Sequence, residues 1–176
     1  LDYAENLTSS MNPSLAAVMF TCTGSEANDL ALRIARQATG SLGIICTDET
    51  YHGNTTAVDE LATLFNQGQS RGPYVRSVPF PDTYRPPVEG SNDALCARYL
   101  AAIDAAIDDF EESGAGLAGV VLCPIFANEG VPTAPSGYLQ GVADRVRARG
   151  GFVIFDEVQS GFGRTGSMWG YEYAGV

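Results

Sequence analysis

"GGFVIFDEVQSGFGRTG", residues 150–166, decides how the rest of the chain is read. Its apolar run from Phe152 to Phe155 stops at two acids, Asp156 and Glu157. A short run, opened by glycines and made of aromatic and β-branched side chains, reads as a strand buried on both faces of a parallel sheet. Open parallel sheets bind ligands beyond the carboxyl ends of their strands, and that is where these acids fall. Side chains alternate along a strand, so Asp156 and Glu157 point to opposite faces and form no carboxylate dyad. Asp156 and Val158 share a face. An acid with a branched apolar neighbour suits a flat heteroaromatic cation, the acid pairing with a ring N–H⁺ while the methyls pack under the ring. The segment from Gly161 to Gly166 also satisfies G-x-G-x-x-G. However, "SMWGYEYAGV" behind it has no helical period, and the acids precede the glycines, so a dinucleotide site is rejected.

Working outward, runs of the same kind at 16–22, 42–47, 74–80 and 117–123 join 151–158 to give five predicted strands. Helical patterns lie between them. "SEANDLALRIARQATG" places Ala27, Leu30, Ala31, Ile34 and Ala38 on one stripe and stops at Gly40. "DALCARYLAAIDAAIDDFEESG" repeats Leu95, Tyr99, Ile103, Ile107 and Phe110 at three-to-four spacing, and "SGYLQGVADRVRARGG" starts at a capping Ser136. Strands alternating with helices predict an α/β fold, a mostly parallel sheet with helices on both faces. Residues 81–92, rich in proline, read as a surface loop. Residues 1–10 resemble the end of a helix and the chain stops just past a loop, which predicts a piece of a larger domain.

The chain has 176 residues and a net charge of −11, with ten arginines, no lysine and one histidine, His52. That balance argues against nucleic acid or an anionic membrane as partner. No apolar run approaches the ~20 residues of a membrane span, and no secretory leader opens the chain. Cys22, Cys46, Cys96 and Cys123 lack metal-type spacing and read as reduced thiols, which fits the cytoplasm. One histidine removes most zinc sites and makes a Ser-His-Asp triad improbable.

Two more segments carry chemistry. In "CTGSEAN", 22–28, a strand gives way at Gly24 and Ser25 to a helix whose free N–H groups attract an anion; a plain N-cap at Ser25 is the structural alternative. "DETYHGNT", 48–55, follows the second strand and puts Tyr51 and His52 at the same end of the sheet. There an aromatic face covers a flat ligand or packs over the strand end.

Together and in this order, "TCTGSEANDLALRIAR", "TYHGNT", "PSGYL" and "FDEVQSGFGRTG" resemble the class III pyridoxal-phosphate (PLP) aminotransferases, of fold type I. The resemblance implies that Gly24 and Ser25 hold the cofactor phosphate. Tyr51 and Val158 flank the ring, with His52 beside them. Asp156 binds the ring nitrogen, and Gln159 reaches the 3-oxygen. Glu157 and Arg164 look like loop-fixing residues, and Trp169 and Tyr171 like packing residues. It also implies amino transfer from an amine or amino acid to a keto acid or aldehyde, and a homodimer. Where many members carry a glutamate before the proline after the fourth strand, Cys123 stands here, with Glu129 further along. The lysine that carries the cofactor is missing. The resemblance therefore implies a partial large domain over 1–176, inactive alone, without the N-terminal segment, the lysine-bearing segment and the small C-terminal domain. It further implies that the strand at 16–22 lacks its sheet neighbour. Other PLP chemistries (aminomutase, decarboxylase, racemase) and a non-catalytic binding module remain open at this point.

Overall fold

A computed structural model describes residues 2–64, 72–87 and 89–176. Its elements run α1 (Asp2–Ser9), α2 (Gly24–Thr39), β1 (Gly43–Thr47), α3 (Thr56–Asp59), β2 (Val75–Val78), α4 (Asn92–Glu112), β3 (Leu117–Leu122), α5 (Tyr138–Ala148), β4 (Phe152–Phe155) and α6 (Gly170–Tyr173). The four strands form one parallel sheet in the order β2-β1-β3-β4. The central pair, β1 and β3, is buried along its whole length, while β4 at one edge is open. This explains why the middle runs of the sequence are apolar without alternation: both faces are covered.

The two faces carry separate cores. On one, α4 and α5 pack Ile103, Phe110, Val142 and Tyr138 against Ile45, Val120 and Leu122. On the other, Leu32 and Ala35 of α2 and Val58 of α3 cover Ile44, Cys46 and Val121. Each fully buried aliphatic side chain is worth about 1.5–3 kcal/mol by transfer from water. The α4 stripe is the predicted one: Leu95, Tyr99, Ile103, Ile107 and Phe110 are all buried.

Three expectations differ. Residues 16–22 form no strand, and Met19 and Phe20 stand 68% and 61% exposed. Among the described residues this segment has no ladder partner, and an extended segment gains little without one. The α2 stripe is wrong by a rotation. Its buried residues are Asn28, Leu32 and Ala35, while Ile34 is 46% exposed. The first contact on the sheet side is the polar Asn28, so apolar periodicity selects the uncovered face. Helix caps also shift. Thr23, not Ser25, caps α2, its hydroxyl accepting from Glu26 N at 3.1 Å. Gly137, in the left-handed region, precedes α5, and Ser136 instead pairs through its backbone with the Asn92 side chain. The loop read at 81–92 is present over 81–91, apart from Val88, which lies outside the described residues, while Asn92 already opens α4.

Candidate active site

Chain reversals at the C-terminal ends of β1, β3 and β4 meet the start of α2 and enclose a cavity of about 200 Å³. All seven predicted site residues line it: Gly24, Ser25, Tyr51, His52, Asp156, Val158 and Gln159, joined by Gly53, Cys123 and Asn128. This is the crevice that an open parallel sheet leaves where β1 has neighbours on both sides.

One wall is the N-terminus of α2. Thr23 caps Glu26 N, and Ala27 N reaches Thr23 O. The N–H groups of Gly24 and Ser25 are then those a helix start leaves without an intrahelical acceptor, backed by the dipole of a 16-residue helix. Because Thr23 does the capping, the Ser25 hydroxyl is released to meet the β1 exit loop, 3.2 Å from Asn54 Oδ1 and 3.2 Å from Asn54 N. Gly53 permits this approach. Its φ is 139°, and a Cβ there would lie 2.6 Å from Ser25 Oγ. Gly24 is similarly tight, 3.1 Å from Val158 Cγ2 for an added Cβ.

The opposite wall is Asp156. β4 ends at Phe155, and Asp156 N extends the ladder by one bond to Leu122 O at 2.8 Å. Asp156 Oδ2 accepts from Asn28 Nδ2 at 3.0 Å and faces His52 Nδ1 at 2.8 Å, while Oδ1 accepts Val158 N–H at 3.1 Å. Burial alone pushes this carboxyl up. The His52 hydrogen bond and charge, the Val158 N–H and Asn28 together outweigh it and hold the carboxyl below its ordinary range. Asp156 and Val158 do share the cavity, but through this turn at the strand end and not through the pleat. Glu157 does not line the cavity and is held by the following loop. Its carboxylate collects Ser160 Oγ at 2.5 Å, Gly170 N at 2.8 Å and Tyr171 N at 2.9 Å. It thereby ties the 157–171 loop to α6. Arg164 is exposed. Trp169 is buried and donates from Nε1 to Ser10 O at 2.9 Å, and Tyr171 Oη accepts Asn12 N–H at 2.9 Å.

His52 is buried and fixed at both ends, with Nε2 3.0 Å from Thr50 Oγ1. Asn28 bridges the same group, donating to His52 O at 2.8 Å as well as to Asp156. Asn128 donates to Tyr51 O at 3.0 Å and fixes that backbone. Sequence reasoning passed over Asn28, Asn128 and the cavity position of Cys123. For Asn28 a signal existed: it lies four residues after Gly24 and so on the same helix face. The arrangement offers an anion-accepting helix start, an ionised acid across from it, and Tyr51 and Val158 between.

A model of the family described as Aminotransferase class-III matches residues 1–176. The chain belongs to the class III aminotransferases. It is 39% identical to an alanine–glyoxylate aminotransferase 2-like protein of Drosophila melanogaster, over 98% of this chain and 36% of that one. A phospholyase from Arthrobacter, solved in complex with phosphoethanolamine, superposes with a TM-score of 0.92 at 45% identity, covering 99% of this chain and 42% of that one. A taurine:2-oxoglutarate aminotransferase from Bifidobacterium kashiwanohense, solved with PLP and glutamate, gives 0.85 at 26% identity, covering 99% and 40%. The chain thus spans about two fifths of the length of these relatives. PLP is the cofactor of this family, and the α/β fold is its large domain.

Proposed function

We propose that this chain is the cofactor-binding part of a PLP-dependent aminotransferase that moves an amino group from an amine or amino acid to a keto acid or aldehyde. The single observation that carries the reading is the pairing, in one cavity, of a helix start with an ionised Asp156 whose second oxygen, among the described residues, accepts from Val158 N–H alone. The cavity suits the group. Gly24 and Gly53 leave space that a Cβ would fill, and Asp156 stays anionic despite burial.

When bound, PLP supplies an electron sink for the carbon bearing the substrate nitrogen. Gly24 and Ser25 hold its phosphate through backbone N–H and hydroxyl donors. Asp156 accepts the ring N–H⁺ and keeps that proton on the ring. Tyr51 and Val158 flank the ring, and Gln159 donates to its 3-oxygen. His52 and Asn28 orient Asp156. The chain has no lysine, so the amine that carries the cofactor in this family is not among its residues. We accordingly place the catalytic unit in a longer, homodimeric, cytoplasmic protein and expect no turnover from this chain alone.

A second reading has its own support, the 45% identity to the Arthrobacter phospholyase. On that reading the same residues serve elimination of phosphate from a phosphorylated amine. The longer protein, loaded with PLP, separates the two. Amino transfer from ¹⁵N-labelled donors into a keto acid supports transamination. Release of inorganic phosphate from phosphoethanolamine, with no labelled amino acid formed, supports elimination.

A further inference from the structure

The β1 exit, residues 50–54, has no regular structure, yet it carries Tyr51 and His52 to the cavity. Backbone groups in such a segment must find partners outside a ladder. Side chains from three other segments supply them. Thr63 Oγ1 accepts Thr50 N–H at 2.9 Å, and Ser25 Oγ accepts Asn54 N–H at 3.2 Å. Between these, Asn128 Nδ2 donates to Tyr51 O at 3.0 Å and Asn28 Nδ2 donates to His52 O at 2.8 Å. Two consecutive carbonyls are thus held by two asparagines, one from the loop after β3 and one from α2. Each peptide unit is planar, so holding both carbonyls fixes the backbone from which the Tyr51 side chain leaves.

The loop that presents Asn128 is bent to do so. Phe126 and Val131 stand at φ 50° and 56°, in the left-handed region that a β-branched residue rarely adopts, and Val131 N–H closes onto Phe126 O at 3.0 Å. Phe126 is anchored in the core beneath α4 and α5. Val131 is 62% exposed, so burial of its side chain does not offset the strain there. Strain of this kind persists where the surroundings over-determine it, and it gathers at functional sites. The residue after Asn128 acts on the same target: Glu129 Oε1 meets the hydroxyl of Thr47, the last residue of β1, at 2.5 Å. Two adjacent side chains of one strained loop therefore grip both ends of the turn that leads from β1 to Tyr51.

We propose that Asn128 is a positioning residue for Tyr51. It sets the stance of the Tyr51 ring at the cavity wall and, through that ring, the affinity of the cavity for a flat ligand. The part concerning the ligand rests on the cofactor reading above, whereas the effect on the Tyr51 ring does not.

Fluorine NMR of protein carrying 3-fluorotyrosine reads the ring with no ligand added. The chain has eight tyrosines, and the resonance absent from Tyr51→Phe identifies Tyr51. Asn128→Ala and Asn128→Leu both remove the donor, and leucine keeps the branched shape of asparagine. Both should shift the Tyr51 resonance and leave those of the exposed Tyr74 and Tyr84 in place. Calorimetric titration with pyridoxamine 5′-phosphate should show binding weakened at least about threefold by either substitution, and no further loss when either is added to Tyr51→Leu. A Tyr51 resonance unmoved in the folded Asn128 variants would overturn the proposal, as would the same fold-loss of affinity in the Tyr51→Leu background. Asn128→Leu behaving as wild type while Asn128→Ala does not would also overturn it, because Asn128 would then only fill space. Failure of wild type to bind the ligand would overturn the cofactor reading, and the fluorine resonance would still decide this one.

Discussion

Asp156→Ala and Asp156→Asn should differ in a way that follows from which oxygen meets which donor. Oδ2 serves two buried partners, His52 and Asn28, and Oδ1 serves the N–H of the exposed Val158. In the alanine variant the His52 nitrogen, on a side chain with no exposure, loses the carboxylate oxygen it meets at 2.8 Å. Leaving a buried donor unmet costs about 1–3 kcal/mol, and the lost bond is charge-assisted. Asn28 keeps His52 O at 2.8 Å, and Val158 N–H turns to water, so neither adds much. The sum is about 2 kcal/mol. In the asparagine variant the amide oxygen takes the Oδ2 position and keeps both buried donors. Its NH₂ then meets only the exposed N–H, and the cost is about 1 kcal/mol for exchanging a charged acceptor for a neutral one. Urea unfolding at pH 7, followed by fluorescence of Trp169, the single tryptophan, measures both. Equal losses in the two variants, or a larger loss in the asparagine one, would refute this assignment of the two oxygens.

Other outcomes follow from the same geometry. Gly53→Ala combines a φ of 139° with a Cβ 2.6 Å from Ser25 Oγ; it should cost at least about 1–2 kcal/mol in the same assay and weaken binding of inorganic phosphate at the α2 start. Glu157→Ala removes the acceptor of three hydrogen bonds; trypsin should then cut the chain after Arg164 several times faster, with little change at Arg149. Asp156 is held below its ordinary value of 3.8, so its contribution to stability is present above that pH and is lost as pH falls through the lower folded value. Glu129, raised from 4.5, works the other way, its contribution being lost as pH rises through the folded value. Urea midpoints across pH 3–7 should therefore fall less steeply toward acid in Asp156→Asn than in wild type.

The sequence carried the site better than it carried the sheet. Turn residues and strand ends are local signals, and Gly24, Ser25, Tyr51, His52, Asp156, Val158 and Gln159 do meet in one cavity. The runs at β1 and β3 were legible because both faces of a central strand are buried, whereas Phe152 to Phe155, read as buried on both faces, forms the open edge strand β4 with Phe152 exposed. The segment at 16–22 was misread, because an apolar run does not report whether a ladder partner lies beside it. The α2 face failed for a related reason. Asn28 is buried by what it binds, His52 and Asp156, and periodicity counts only apolar residues. The contact between His52 and Asp156 joins the β1 exit to the β4 exit across 104 positions, and spacing along the chain gives no hint of it.

The most direct test of the central claim is calorimetric titration of pyridoxamine 5′-phosphate into the protein, wild type against Asp156→Asn. This ligand carries the phosphate and the ring nitrogen and needs no lysine to bind. The account predicts saturable one-site binding to wild type and at least tenfold weaker binding to Asp156→Asn, with the fold intact by its urea midpoint. Equal affinity for the two proteins, or no binding to folded wild type, would contradict it.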